Sequence, residues 1–224
     1  MTAPLLAFED VPLGPAGTVR ATLEVPTHRA VAVVGEVASG LDRLSPFALG
    51  LERPPAGRAL LFGEDIGRMS RRAVLAFRRR AGYVPEGDGL LQNLSLEDNI
   101  ALPLRFGGGM APREIHGRLR VILAAFRLQD VAWLRPADAD DEQRRRAAFA
   151  RALVFDPPLV LLDQPFDGIG MTAAADLLNL ARGGETSDGP RRSLFVTSQA
   201  LPEYLRGRFD QRYRVARGAL RQET

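Results

Sequence analysis

The 224-residue sequence carries 30 basic residues, all of them arginine, against 27 acidic ones, and 46% of it is hydrophobic. The absence of cysteine excludes disulfides and thiolate metal sites, and only His28 and His116 are available for a histidine metal site, which argues against structural zinc. No run of about 18 apolar residues offers a membrane span, and the start of the chain has acids where a signal peptide needs basic residues. A chain of this length and apolar content can bury one large core, with or without an inserted unit. The net charge of +3 is compatible with anionic partners or a membrane-facing surface and diagnostic of neither.

Residues 5–11 and 18–25 read as two strands joined by the turn Gly14-Pro15-Ala16-Gly17. Residues 30–35 form a fully apolar strand, and apolar spacing through Leu44, Phe47 and Leu49 predicts a helix over 40–49. Pro54-Pro55-Ala56-Gly57 breaks the chain. A short strand at 58–62 turns at Gly63-Glu64-Asp65, Ser70 caps a basic helix to about Arg80, and 81–85 is another short strand. From 95 to about 152 the pattern is helical, with capping-box spacing at Ser95-Leu96-Glu97-Asp98 and breaks at Gly107-Gly108-Gly109 and around Pro136. A strand at 159–163 ends in an acid, a helix covers 172–182, and 183–190 is a loose loop. A strand at 193–197 and a hairpin around Arg217-Gly218 close the chain. The alternation predicts an α/β fold. Its core sheet is mostly parallel, with an antiparallel β subdomain and an inserted α-helical subdomain at 95–152, all within one domain over 1–224.

The stretch Gly35-Glu36-Val37-Ala38-Ser39-Gly40-Leu41-Asp42 lies between a buried strand and a helix start. That is the layout of a phosphate-binding P-loop, G-x-x-x-x-G-K-[ST]. Gly35 and Gly40 fit its glycines. Leu41 stands where a lysine would meet the terminal phosphates, and Asp42 where a hydroxyl would ligate magnesium. A drift toward arginine would have kept a charge at position 41. Three roles are open for Asp42: accepting the loop amides as a built-in anion, ligating magnesium, or capping the helix. Arg43 is a weak substitute for the lysine, since it is turned about 100° around the helix.

Taken together, the order and spacing of these segments resemble the ATP-binding subunit of an ABC transporter over essentially the whole chain. Two phrases are similar to the Mla-type ATPases, which work with MCE proteins in phospholipid transport: Gly63-Glu64-Asp65-Ile66-Gly67-Arg68-Met69-Ser70-Arg71, and Asp163-Gln164-Pro165-Phe166-Asp167-Gly168 followed by Met171-Thr172. The resemblance implies a P-loop ABC ATPase fold and assigns roles to further positions. Glu86 replaces the Q-loop glutamine; a carboxylate still suits magnesium. Ala139-Asp140-Asp141-Glu142-Gln143 replaces the signature LSGGQ that grips the γ-phosphate across a dimer. Its acids favour the helix they start and repel a polyphosphate, and the alternative is a site for something cationic. Asp163 keeps the magnesium-supporting aspartate. Gln164 replaces the catalytic glutamate and cannot accept a proton from water. Gly170 holds the D-loop aspartate position and Ser198 the H-loop histidine position, and no adenine-stacking aromatic stands between Val11 and Val25.

These replacements predict a catalytically degenerate subunit, with no cofactor bound tightly and ATP with magnesium as the only candidate. No catalytic residue is intact; on this reading Asp163 is the candidate metal ligand. The expected partners are a membrane-spanning permease, received in a groove around Glu86 to Ile100, and a second ABC ATPase subunit in a homodimer or heterodimer. The resemblance places such a subunit in the cytoplasm, on the inner face of the bacterial inner membrane. Two alternatives stand beside it: a divergent, slow ATPase holding magnesium on Asp163, Asp42 and Glu86, and a free-standing adaptor with an ABC-like fold. Arg71, Arg72 and Arg78-Arg79-Arg80 read as a solvated helix face and not as a nucleic-acid site, because no aromatics interleave to stack bases.

Overall fold

The computed structural model describes residues 3–14, 17–107, 109–183, 191–216 and 218–223. Pro15, Ala16, Gly108, Arg217 and residues 184–190 lie outside the described residues, and with them parts of the turns and breaks expected there and the loop expected at 183–190. Two sheets form. Strands β1 (Leu6–Leu13), β2 (Val19–Val25), β4 (Arg58–Leu61) and the two-residue β5 (Glu64–Asp65) make an antiparallel sheet in the order β2-β1-β4-β5. The second sheet contains β3 (Ala30–Gly35), β6 (Ala81–Val84), β7 (Leu159–Asp163), β8 (Ser193–Ser198), β9 (Gln211–Ala216) and β10 (Ala219–Glu223), in the order β10-β9-β3-β8-β7-β6. Every pairing in it is parallel except β9 with β10.

Period-two alternation along the parallel strands builds two cores. Val31, Val33, Leu159, Leu161 and Phe195 face the antiparallel sheet, while Ala30, Ala32, Val34, Val160, Leu162 and Val196 face the helices. Burial on both faces explains why these strands are apolar throughout. Each fully buried valine or leucine contributes roughly 1.5–3 kcal/mol.

The helices are α1 (Leu44–Ala48), α2 (Arg71–Arg78), α3 (Leu96–Gly107), α4 (Pro112–Ala125), α5 (Asp141–Leu153), α6 (Met171–Arg182) and the short α7 (Glu203–Arg206). Ser70 caps α2 through the Ala73 amide, and Ser95 bonds the Asp98 amide at the start of α3. The helix expected over 40–49 is reduced to α1, preceded by 3-10 turns at Val37–Ser39 and Leu41–Arg43. Pro46 explains this: it has no N–H for the Asp42 carbonyl, and its ring crowds that carbonyl, so a regular helix cannot extend upstream.

Candidate functional site

The parallel register sets the carboxyl ends of β3, β6, β7 and β8 side by side. Val34 pairs with Ser198, Asp163 with Thr197, and Val84 with Leu162. The loop after β3, Glu86 after β6, Asp163-Gln164 and Ser198 therefore meet at one edge, where open α/β sheets place their ligands.

Leu41 does not point out of this loop. It is 3% exposed and belongs to the core cluster that includes Leu13, Val33, Leu44 and Val215. Gly40 sits at φ +76, and a Cβ there would collide with the Gly14 backbone nitrogen, so the connection after β1 rests directly on the loop. The Ser39 hydroxyl donates to the Glu36 carbonyl. Asp42 is exposed, and among the described residues no backbone amide donates to its carboxylate; Gly40 and Arg43 hold the N-cap positions of the 3-10 turn and of α1. The built-in-anion and cap readings of Asp42 are thereby corrected: burying Leu41 turns its neighbour to solvent. Arg43 does not replace the lysine either. It pairs with Glu52 at 3.0 Å and lies over the Phe47 ring, 4.7 Å from its centroid.

Asp163 is 5% exposed and is held by residues that motif reading passed over. Its Oδ1 accepts from the hydroxyls of Ser45 (2.6 Å) and Thr197 (2.7 Å), and its Oδ2 from the phenol of Tyr83 (2.8 Å). Burial pushes the Asp163 carboxyl above its ordinary range, the three hydroxyls pull it back, and Glu86 adds a further upward push. Burial and the Asp163 charge in turn push the Tyr83 phenol upward. Glu86 itself is exposed.

Gln164 adopts φ +47, a left-handed conformation unusual for a non-glycine residue. Its amide donates to the Thr197 carbonyl and its Oε1 accepts the Gln199 amide, both at 2.9 Å. The Ser198 hydroxyl donates to the Ala200 carbonyl at 2.7 Å. Both polar groups are thus tied to the backbone around the end of β8.

At the signature position Ala139 is buried, and its carbonyl accepts from Arg144 at 2.6 Å. Asp140 and Gln143 close a capping box, with bonds of 2.7 and 3.1 Å. Asp141 pairs with Arg144, and Glu142 with Arg146 at 2.8 Å. The acids therefore support the start of α5, as their chemistry predicted, and two of the three are already neutralised by arginines on the same helix.

A family model described as ABC transporter matches residues 19–167. The chain is 36% identical over 162 residues to the lipoprotein-releasing system ATP-binding protein LolD of Chromohalobacter salexigens, covering 72% of this chain and 68% of that protein. It is 31% identical over 158 residues to the methionine import ATP-binding protein MetN 2 of Pseudomonas aeruginosa, covering 70% of this chain but only 47% of that longer protein. It is 31% identical over 160 residues to the intermembrane phospholipid transport system ATP-binding protein MlaF of Haemophilus influenzae, covering 71% and 61%. The Mla-type relative is thus one of several. The fold superposes on the dimeric bacterial ABC transporter cassette MJ0796 with a TM-score of 0.85 over 98% of both chains, at 21% identity. Among the described residues no helix is long and apolar enough to cross a membrane. The chain belongs to the ABC transporter family, as an ATP-binding subunit of a transport system.

Proposed function

We propose that this chain is a catalytically degenerate ATP-binding subunit whose shape supports assembly of an ABC-type lipid transport complex on the inner face of a bacterial inner membrane. The observation that carries the reading is Leu41, folded into the core at the position where the family places a phosphate-binding lysine. Other features agree. The exposed carboxylates of Glu36, Asp42, Glu86 and Asp167, on the loops after β3, β6 and β7, have no ion-pair partner among the described residues and repel a triphosphate. Asp163 already accepts three hydroxyl bonds, which leaves about one of its acceptor sites for a magnesium ion or its water, and with Leu41 in the core the residues present do not fit a magnesium-bound nucleotide. With glutamine in place of the catalytic acid, general-base catalysis worth about 10²–10⁴-fold is forfeited.

The docking role rests on the segment after β6. Asn99, fully buried, bonds the Leu91 amide and carbonyl, and the 132–134 loop is tied to the start of α3 through Leu96 and Glu97. Leu91 and Trp133, 48% and 74% exposed, thus stand at the start of α3 on a well-braced surface fit to receive an apolar permease helix. A lipid cargo is favoured because LolD and MlaF, by name, serve lipoprotein release and phospholipid transport.

The test is calorimetric titration of the purified chain with magnesium-ATP, together with turnover by the chain co-purified with its permease. No uptake at micromolar ATP is expected, with retention of the chain on the permease. Micromolar, magnesium-dependent binding and turnover abolished by Asp163→Asn would establish a divergent ATPase instead. Failure to co-purify with any multi-span protein would leave a free-standing adaptor.

A further inference from the structure

We infer that Asp88 is a fixed joint that locks α5, and with it the α3–α5 unit, onto the segment that follows β6. Three arginines of one helix converge on this single turn. Arg145 brings its Nε to 3.1 Å from Asp88 Oδ1, with side-chain exposures of 8% and 14%, and Arg144 Nε lies 3.8 Å from Oδ2. Arg151, two turns further along α5, donates to the carbonyls of Asp88 (2.9 Å) and Gly89 (2.7 Å). Arg145 also donates to the Asp167 carbonyl at 3.3 Å, so one guanidinium bridges the loops after β6 and β7.

The pair is built into the interior. Asp88 Oδ1 and Arg145 Nη1 are buried without a hydrogen-bond partner, so Asp88 and Arg145 compensate each other chiefly through charge. Removing one partner of such a pair leaves an uncompensated buried charge, which is the costly direction. Asp88 also sits at φ +68, a conformation in which aspartate and asparagine are the better-tolerated side chains. The 88–91 segment is then tethered at both ends, at Asp88 and Gly89 by α5 and at Leu91 by Asn99 of α3. A segment held at so many points opens rarely, and its position does not wait on a ligand. The inference goes beyond the proposed function: the joint is a property of the fold whether or not the chain binds nucleotide.

Hydrogen exchange on the full chain, read peptide by peptide with and without magnesium-ATP, tests this. Asp88→Asn is the informative variant, since it is isosteric, accepts the same backbone conformation and removes only the charge. Exchange in 88–94 and in the first turns of α5 is expected to quicken by at least about tenfold, while β3 and β7 keep wild-type rates. Arg151→Gln, which cuts the carbonyl bonds without touching the ion pair, should quicken 88–94 alone. Exchange in 88–94 that is unchanged in both variants overturns the joint. So does a wild-type chain in which magnesium-ATP alone loosens those amides. A uniform rise over all peptides would also overturn it, by showing global destabilisation instead of a local joint.

Discussion

Restoring the lysine should damage the protein before it repairs anything. Leu41→Lys removes a leucine that is 3% exposed in the core beside Val33 and Leu44. Losing that burial costs about 1.5–3 kcal/mol, and the ammonium must either desolvate or pull its stem outward past Gly35, whose Cβ position lies 3.0 Å from the leucine Cδ1. A total of roughly 2–4 kcal/mol lowers the melting temperature of a chain of this size by roughly 5–12 °C. Thermal denaturation with and without magnesium-ATP reads both halves of the prediction. A functional site with a dissociation constant one hundredth of the ATP concentration would return about 2.7 kcal/mol on adding nucleotide. We expect the drop and no return. A variant that melts like the wild type and gains that stabilisation from ATP would refute the claim that the loop has been rebuilt around an apolar side chain.

Ser45→Ala strips a hydroxyl from a fully buried carboxylate and should cost about 1.5–3 kcal/mol by chemical denaturation, with Tyr83→Phe toward the lower end because the phenol is only half-buried. Asp140→Ala removes the cap of α5 and should cost about 0.5–2 kcal/mol, with Asp140→Ser nearly silent. Burial pushes the Asp210 carboxyl up, but the Ala30 amide and the nearby Arg29 and Arg182 together hold it below its ordinary 3.8. Its contribution is therefore present above pH 3.8 and lost as pH falls through the lower folded value; Asp210→Asn should flatten that acid limb, by about 1 kcal/mol or less because solvent screens the pairs. Asp163 has the opposite sign. Its folded value is raised, so its charge is a cost above that value which is relieved as pH falls toward 3.8; Asp163→Asn, which loses the acceptor of the Tyr83 phenol at every pH, should compare least badly with wild type at neutral pH.

The sheet was legible because its strands are buried on both faces and bounded by glycine and proline, and the order of motifs placed the strand ends together. Ser70, Ser95 and Asp140 announced their helices through local chemistry alone. Apolar spacing overdraws the helix after the loop because Pro46 overrides it, and that rule is available in the sequence. The surroundings of Asp163 were another matter. Ser45, Tyr83 and Thr197 lie 118, 80 and 34 residues from it in the chain, and nothing in their local patterns says that they converge. Arg43 reads as a weak substitute for the lysine, and its actual partner, Glu52, lies beyond the turn that ends α1.

Those three hydroxyls change what the survival of Asp163 means. A buried carboxylate is expensive unless its lone pairs are used, and in an ABC cassette a metal site would help justify keeping one. Here the donors come from α1, β6 and β8, and the carboxylate sits at the end of β7, so one charged group fastens four elements at the point where their ends meet. Replacing it by an apolar residue would strand three hydroxyls in the interior, two of them on fully or almost fully buried residues. That cost alone is sufficient reason for the aspartate to persist, whether or not nucleotide chemistry is retained. Its presence therefore carries no weight for retained hydrolysis, and the case turns on Leu41, where the side chain has physically left the site.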